Sequence, residues 1–287
     1  MITARNYAAQ AEHDFRKASH AFEVARQQDF HILLLNGADF IKQAIHFAIP
    51  DGGKILMDNL RGIRGEEIHL PFKKITVEFF YDKYSQETSD IDDLISSKYL
   101  ILAEEFENEI SVVTCQFDNK KKKWGMQNVA IFIPINWDSD KGKTFDGLDG
   151  VGCRSMSLTN PSDVDSDEFQ FTSLVASITA PSILALIEAL SCKNVGTESI
   201  NRIDQTKADK RVRAGKLPFY ETKILTVETN YESKVSNRTI PTDRAVVRQH
   251  LRRGHIRRHP TAGNIWVNSC VVGHPELGVI EKQYKVR

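Results

Sequence analysis

The residues Tyr7, Ala8, Ala11, Phe15, Ala18, Phe22 and Ala25 recur every three or four positions, with Arg, Lys and Glu between them. That period predicts an amphipathic helix over 3–27, with Thr3 as its N-cap. The apolar seam lasts little more than three heptads, so the helix is read as packing on its own domain and not as a coiled coil. A short apolar run, Asp29 to Leu35, ends at Asn36-Gly37, a dipeptide that marks a break. A second helix is expected over 38–48, with Phe40, Ile41, Ala44, Ile45 and Ala48 on one face, before Pro50-Asp51-Gly52-Gly53 turns the chain. Gly52-Gly53-Lys54 lacks the spacing of a phosphate loop and is read as a turn.

From Leu70 the period changes. Lys74 to Phe80 has the β-branched and aromatic content of a strand, and Lys98 to Ala103 and Ser111 to Phe117 read the same way. Asp118 to Gly125 is expected to be a hairpin tip with Gln127 to Ile133 returning from it; the four lysines there read as solvated charges that discourage edge pairing, or as a nucleic-acid contact. Residues 136–168 are rich in Asp, Gly, Ser and Thr, and are expected to form a loop or linker. Their acids do not meet the spacing of a calcium loop. Phe171 to Leu190 is apolar with a helical period, started or kinked by Pro181. Further strands are expected at Tyr220 to Val227, Asn264 to Val272 and Glu281 to Val286.

The expected fold class is therefore α+β: N-terminal helices with an antiparallel sheet, then a basic C-terminal helix-plus-strands region. The expected division is 1–135, a 136–168 acidic loop or linker, and 169–287, with the two halves able to pack as one domain. No apolar run approaches the ~18–20 residues of a membrane-spanning helix, and the first residues lack a secretory apolar core. A cytoplasmic protein without a membrane partner is expected. Cys115, Cys153, Cys192 and Cys270 are far apart, which predicts free thiols in a reducing compartment.

Charge changes the picture. The formal net charge is zero, yet residues 201–287 hold 18 Lys and Arg against 8 Asp and Glu, and residues 1–200 hold 20 against 30. Such a split suits a basic face for nucleic acid, or two halves that attract each other. The basic residues concentrate in Arg248-Gln249-His250-Leu251-Arg252-Arg253-Gly254-His255-Ile256-Arg257-Arg258, followed by His259.

Several pieces also resemble a group of uncharacterised bacteriophage and prophage proteins. They are Leu70-Pro71-Phe72 before a strand with Glu78, Asn194-Val195, Lys210-Arg211, Gly215-Lys216-Leu217-Pro218 with Tyr220, His250 to Arg257, Ile265-Trp266-Val267, Val272-Gly273 and Tyr284-Lys285-Val286. The likeness covers 170–287 well and the first half thinly. It implies a phage origin, hence a host-cell cytoplasm, and little chemistry; His259 and His274 fall outside its pattern.

Three functions compete for the basic block. In the first, arginine forks bind the phosphates of RNA or DNA. The expected contacts are Arg211, Arg213, Lys216, Arg248, Arg252, Arg253, His255 and Arg257, with Tyr220 and Trp266 available to stack on bases. In the second, His250 and His255 act as base and acid with Arg253 as the stabilising charge of a metal-independent nuclease. One helix or one strand would not bring the two histidines together, so this needs a turn at Gly254. In the third, the protein blocks a host factor without catalysis. His250, His255, His259, Cys270 and His274 are permissible metal ligands, but the arginines among them repel a cation. Neither a metal nor a cofactor is expected.

Overall fold

The computed structural model describes residues 6–49, 68–80, 98–135, 154–159, 181–200, 204–227, 248–252, 255–259, 263–267, 270–272 and 274–279. They form an α+β fold. Helix α1 (Tyr7–Val24) and α2 (Gln28–Gln43) are followed by β1 (Ile45–Ala48), β2 (Lys74–Phe80), β3 (Lys98–Glu105), β4 (Glu109–Asp118), β5 (Lys123–Pro134) and β6 (Arg154–Ser157). Then come α3 (Pro181–Leu190), β7 (Val195–Ile200), α4 (Gln205–Arg213) and β8 (Thr222–Val227). The chain divides into two compact units, Met1–Glu188 with Thr197–Leu225, and Ala189–Gly196 with Thr226–Arg287.

An eight-stranded sheet, in the order β6-β5-β4-β3-β2-β1-β8-β7, organises the first unit. From β2 to β6 the neighbours are antiparallel. β1, however, runs parallel to both β2 and β8, so the sheet is mixed. Strand β6 lies within the stretch expected to be a loop. Residues 136–153 and 160–168, Thr3, the Gly52-Gly53-Lys54 turn, residues 171–180 and the strand expected at Glu281 to Val286 lie outside the described residues.

The period of α1 is what buries it. Tyr7, Ala8, Ala11 and Phe15 join Leu34, Ala38 and Ile41 of α2, and Leu100, Leu102, Cys115 and Trp124 of the sheet, in one apolar core. Alternate residues of β3 face away from that core, yet Tyr99, Ile101 and Ala103 are also buried. A sheet centre covered on both faces reads as continuous apolar sequence and not as alternation. Helix α1 ends in a Schellman motif: Gln27 N–H donates to Phe22 O (2.9 Å) and Arg26 N–H to Glu23 O (3.0 Å).

Two expectations fail at α2. The helix runs unbroken through Asn36-Gly37. A Cβ on Gly37 would lie 2.8 Å from Met126 Sδ, so the glycine serves close packing of helix on sheet and not a turn. Ile45 to Ala48, expected to end a helix, is instead the central parallel strand β1. A short apolar run buried on both sides carries no period that separates helix from strand.

No helix among the described residues is long and apolar enough to cross a membrane. Cys115 and Cys192 are buried thiols outside any disulfide. Burial raises both, Cys192 to about 11.

Candidate nucleic-acid interface

The arginine–histidine block is built as two strands. β9 (Arg248–Arg252) is the middle of a three-stranded sheet between β12 (Cys270–Val272) and β13 (His274–Val279). β10 (His255–His259) pairs antiparallel with β11 (Gly263–Val267). All five strands belong to the second unit. Arg253, expected both as a phosphate contact and as a catalytic stabiliser, lies outside the described residues.

Strand geometry sorts the block by face, because successive residues point to opposite sides. On β9, positions 248, 250 and 252 share one face and are all basic, while Gln249 and Leu251 occupy the other. Register extends this division. Arg252 is opposite Cys270, His250 opposite Val272 and Arg248 opposite His274, whereas Leu251 is opposite Val271 and Gln249 opposite Val279. On β10, Arg257 is exposed and its neighbour Ile256 is buried. Positions 255, 257 and 259 therefore share one face, and Ile256 and Arg258 share the other with their cross-strand partners Trp266 and Asn264. Trp266 thus sits on the face away from Arg257.

The hairpin is held from behind. Just after α3, the Asn194 side chain donates to Trp266 O and accepts from Trp266 N–H, both at 2.8 Å. Lys193 N–H donates to Asn264 O (3.0 Å), and Asn264 Nδ2 donates to Ser191 Oγ (3.0 Å). The amide of Asn194 substitutes for a neighbouring strand, satisfying backbone groups of β11 that β10 does not reach.

His250 and His255 fall on different strands in different sheets, so neither the single helix nor the single strand considered for them describes the block. Cys270 and His274 are not brought together by their short spacing. Their partners on β9 are four residues, about 13 Å, apart, and β12 and β13 flank β9 from opposite sides. Among the described residues no group of three or more His, Cys, Asp or Glu is placed to hold a metal.

The remaining expected contacts lie on α4, in the first unit. Asp204 caps this helix by accepting from Thr206 N–H at 2.8 Å, and its interactions with the Thr206 side chain first and the backbone second hold its carboxyl below the usual value. Gly215, at φ 68, closes it in a second Schellman motif, with Lys216 N–H on Arg211 O and Gly215 N–H on Val212 O. Arg213 and Lys216 are exposed. Arg211 is not on display. Its Nε donates to Leu217 O at 2.6 Å, and its guanidinium lies 3.9 Å over the Phe219 ring. Such bonds make it a brace for the loop into β8.

Tyr220, expected as a stacking surface, is also engaged inside the first unit. Its hydroxyl donates to Glu12 Oε2 at 2.5 Å, and its ring packs 4.4 Å from that of His46. Burial first, and the bond to Glu12 second, raise the phenol above its ordinary range. Glu12 also accepts from Arg16 Nε at 3.0 Å, and Arg16 reaches Asp39 at 2.8 Å. His46 is buried with Nδ1 2.7 Å from Thr76 Oγ1, and burial lowers it to about 4. Glu78 of β2 accepts from Tyr7 N–H at 2.8 Å, placing a carboxylate at the positive end of α1. Tyr220 thus links two sets of polar groups, Glu12 with Arg16 and Asp39 on one side and His46 with Thr76 on the other.

Sequence reasoning set His274 aside, yet register puts it beside Arg248 on the basic face. Its sequence neighbours gave no signal, because the pairing is with a strand more than twenty residues earlier. The glutamate–tyrosine–histidine cluster was missed for the same reason, its members coming from α1, β1 and the approach to β8. Comparison with protein-family models finds no match, and neither curated proteins nor solved structures give one.

Proposed function

We propose that this protein binds nucleic acid through the basic faces of β9 and β10. The observation that carries this reading is the alternation. On β9 the three positions of one face, 248, 250 and 252, are all Arg or His, while Gln249 and Leu251 take the other; on β10 positions 255, 257 and 259 are basic on one face, and Arg258 lies with Ile256 on the other. Basic residues needed merely to balance the acidic first half would not have to segregate by face. Arg248, Arg252 and Arg257 contact phosphates, with Arg253 beside them in sequence and His255 as a hydrogen-bonding partner; Arg213 and Lys216 supply further cationic surface on α4. Arginine suits the task because its planar fork matches a phosphate and its charge does not titrate away. The reading covers single strands as well as duplex, since phosphate contacts carry no sequence information.

The test is fluorescence anisotropy of labelled RNA, single-stranded DNA and duplex at two salt concentrations, comparing wild type with Arg248→Ala/Arg252→Ala. Binding that weakens steeply with salt and is lost in the variant is expected. Absence of binding at low salt would sink the reading. The same probes are checked for cleavage. Cleavage lost in His255→Ala with binding retained would shift the reading to a metal-independent nuclease.

A further inference from the structure

The strongest charge concentration outside the block is the hairpin between β4 and β5, where Lys120, Lys121, Lys122 and Lys123 follow one another and all are exposed. Lysines on a β-strand commonly guard an open edge. Here β4 and β5 pair with each other up to the tip, while β3 meets β4 only as far as Gln116 and β6 meets β5 only from Val129. Lys120, Lys121 and Lys122 lie in the turn itself and on neither strand, so guarding an edge does not account for them.

The tip is also rigid. Asp118 Oδ1 accepts the backbone N–H groups of Lys120 (2.8 Å) and Lys121 (2.9 Å), closing the turn with the one acid at the tip. Trp124, directly after the lysines, is buried, and its N–H donates to Asp14 Oδ2 at 2.9 Å. Lys120, Lys122 and Lys123 make no ion pair among the described residues. Lys122 adopts the left-handed conformation, with φ 54, a position that glycine or asparagine fits more easily.

We propose that this tip is a second phosphate-contacting surface, on the first unit, that grips a nucleic-acid backbone without reading bases. The proposal rests on the nucleic-acid reading above for the identity of the polyanion, but not on the residues of β9 and β10. Compact, rotatable ammonium groups on a fixed turn suit a uniform charged backbone, whereas base readout calls for planar, bidentate groups.

The experiment measures affinity of the full-length protein for a labelled single-stranded RNA across a salt series, by anisotropy. Wild type is run beside Lys120→Ala/Lys121→Ala/Lys123→Ala, Lys122→Gly and Arg248→Ala/Arg252→Ala. In the triple lysine variant the slope of log affinity against log salt should become shallower by about 0.7 per lysine engaged, hence by about 2. Lys122→Gly should weaken binding while its melting midpoint holds or rises. A scaffolding lysine would behave otherwise, moving stability and binding down together. Wild-type affinity and slope in the triple lysine variant, with binding lost in the arginine variant, would overturn this proposal and leave the first standing. Loss in the lysine variant alone would keep the tip and overturn the strand faces. No binding by wild type would overturn both.

Discussion

Arg211 and Arg257 look alike in sequence, each inside a run of basic residues, and the structure treats them oppositely. Arg211, in the first unit, is half-buried, bonded to Leu217 O and laid on Phe219. Arg257, in the second, is exposed on a strand whose other face is covered by Ile256. The difference teaches that a count of positive charge does not locate an anion site. A guanidinium that satisfies a loop carbonyl and covers an aromatic ring is already employed. Arg257, exposed and with no bond to another described residue, has its donors available.

The largest effect should come from reversing charge on the displayed side. Arg248→Glu/Arg252→Glu/Arg257→Glu is expected to weaken nucleic-acid binding at low salt by about a hundredfold or more, since each lost phosphate contact also removes counterion release. Arg211→Ala should change binding by no more than about twofold. It should instead lower stability by about 1–2 kcal/mol, from one hydrogen bond to a charged group and one cation–π contact. Titration on a fixed RNA probe and thermal melts of both variants decide the matter. Equal losses of binding in the two would erase the distinction between braced and displayed arginines.

Histidine offers the same contrast. His46 is buried in the first unit and lowered to about 4 by burial, with Glu12 opposing the shift. In the unfolded chain it titrates near its ordinary value of about 6.5. The folded state therefore resists a proton that the unfolded state accepts. This contribution to stability is complete above about pH 6.5 and is lost as pH falls through 4, by about 3 kcal/mol in all. Urea unfolding at intervals across that window should show the loss in wild type and a flatter profile in His46→Gln. A wild-type profile no steeper than the variant's would mean that His46 is hydrated enough to ionise in place.

How much of this was legible follows from which interactions are local. Helix α1 was readable from its period, and strands β2 to β5 from their β-branched and aromatic content over seven or more residues. β1 was not, because Ile45 to Ala48 is buried from both sides and its strand character comes from partners at Ile75 and Thr222 that the local sequence does not announce. Gly37 was read as a break because its reason, the sulfur of Met126, lies almost ninety residues away. In the basic block the residues were legible but their arrangement was not. The alternation in Arg248 to Arg252 is plain once that segment is known to be a strand, but a sequence dominated by arginine gives no apolar period to show it.

A smaller test sharpens the case for braced polar groups. Tyr220→Phe removes the hydroxyl that meets Glu12 and keeps the ring on His46. Glu12 retains Arg16 as a partner, so the cost should be about 1–2 kcal/mol and not the larger penalty of an orphaned charge. Chemical denaturation measures it, and RNA affinity should not move. An affinity change larger than the stability change would return Tyr220 to the interface.

The least effect concerns a basic residue whose charge should matter for nothing. Helices α1 and α4 end in the same hydrogen-bonded motif, yet the left-handed position is Arg26 in one (φ 59) and Gly215 in the other (φ 68). A non-glycine residue there crowds its Cβ against the backbone, at about 1–2 kcal/mol, while glycine gives back part of the difference through its freer unfolded chain. Arg26→Gly should therefore raise stability by about 0.5 kcal/mol, and Gly215→Ala should lower it by about 1 kcal/mol. Arg26 is exposed and belongs to neither proposed contact surface, so Arg26→Gly should leave RNA affinity and its salt slope at wild-type values. A melt that rises while the slope becomes shallower would extend the phosphate-contacting surface to the α1–α2 turn. An unchanged slope would show that position on a built surface, and not exposed charge by itself, determines which arginines of this protein meet an anion.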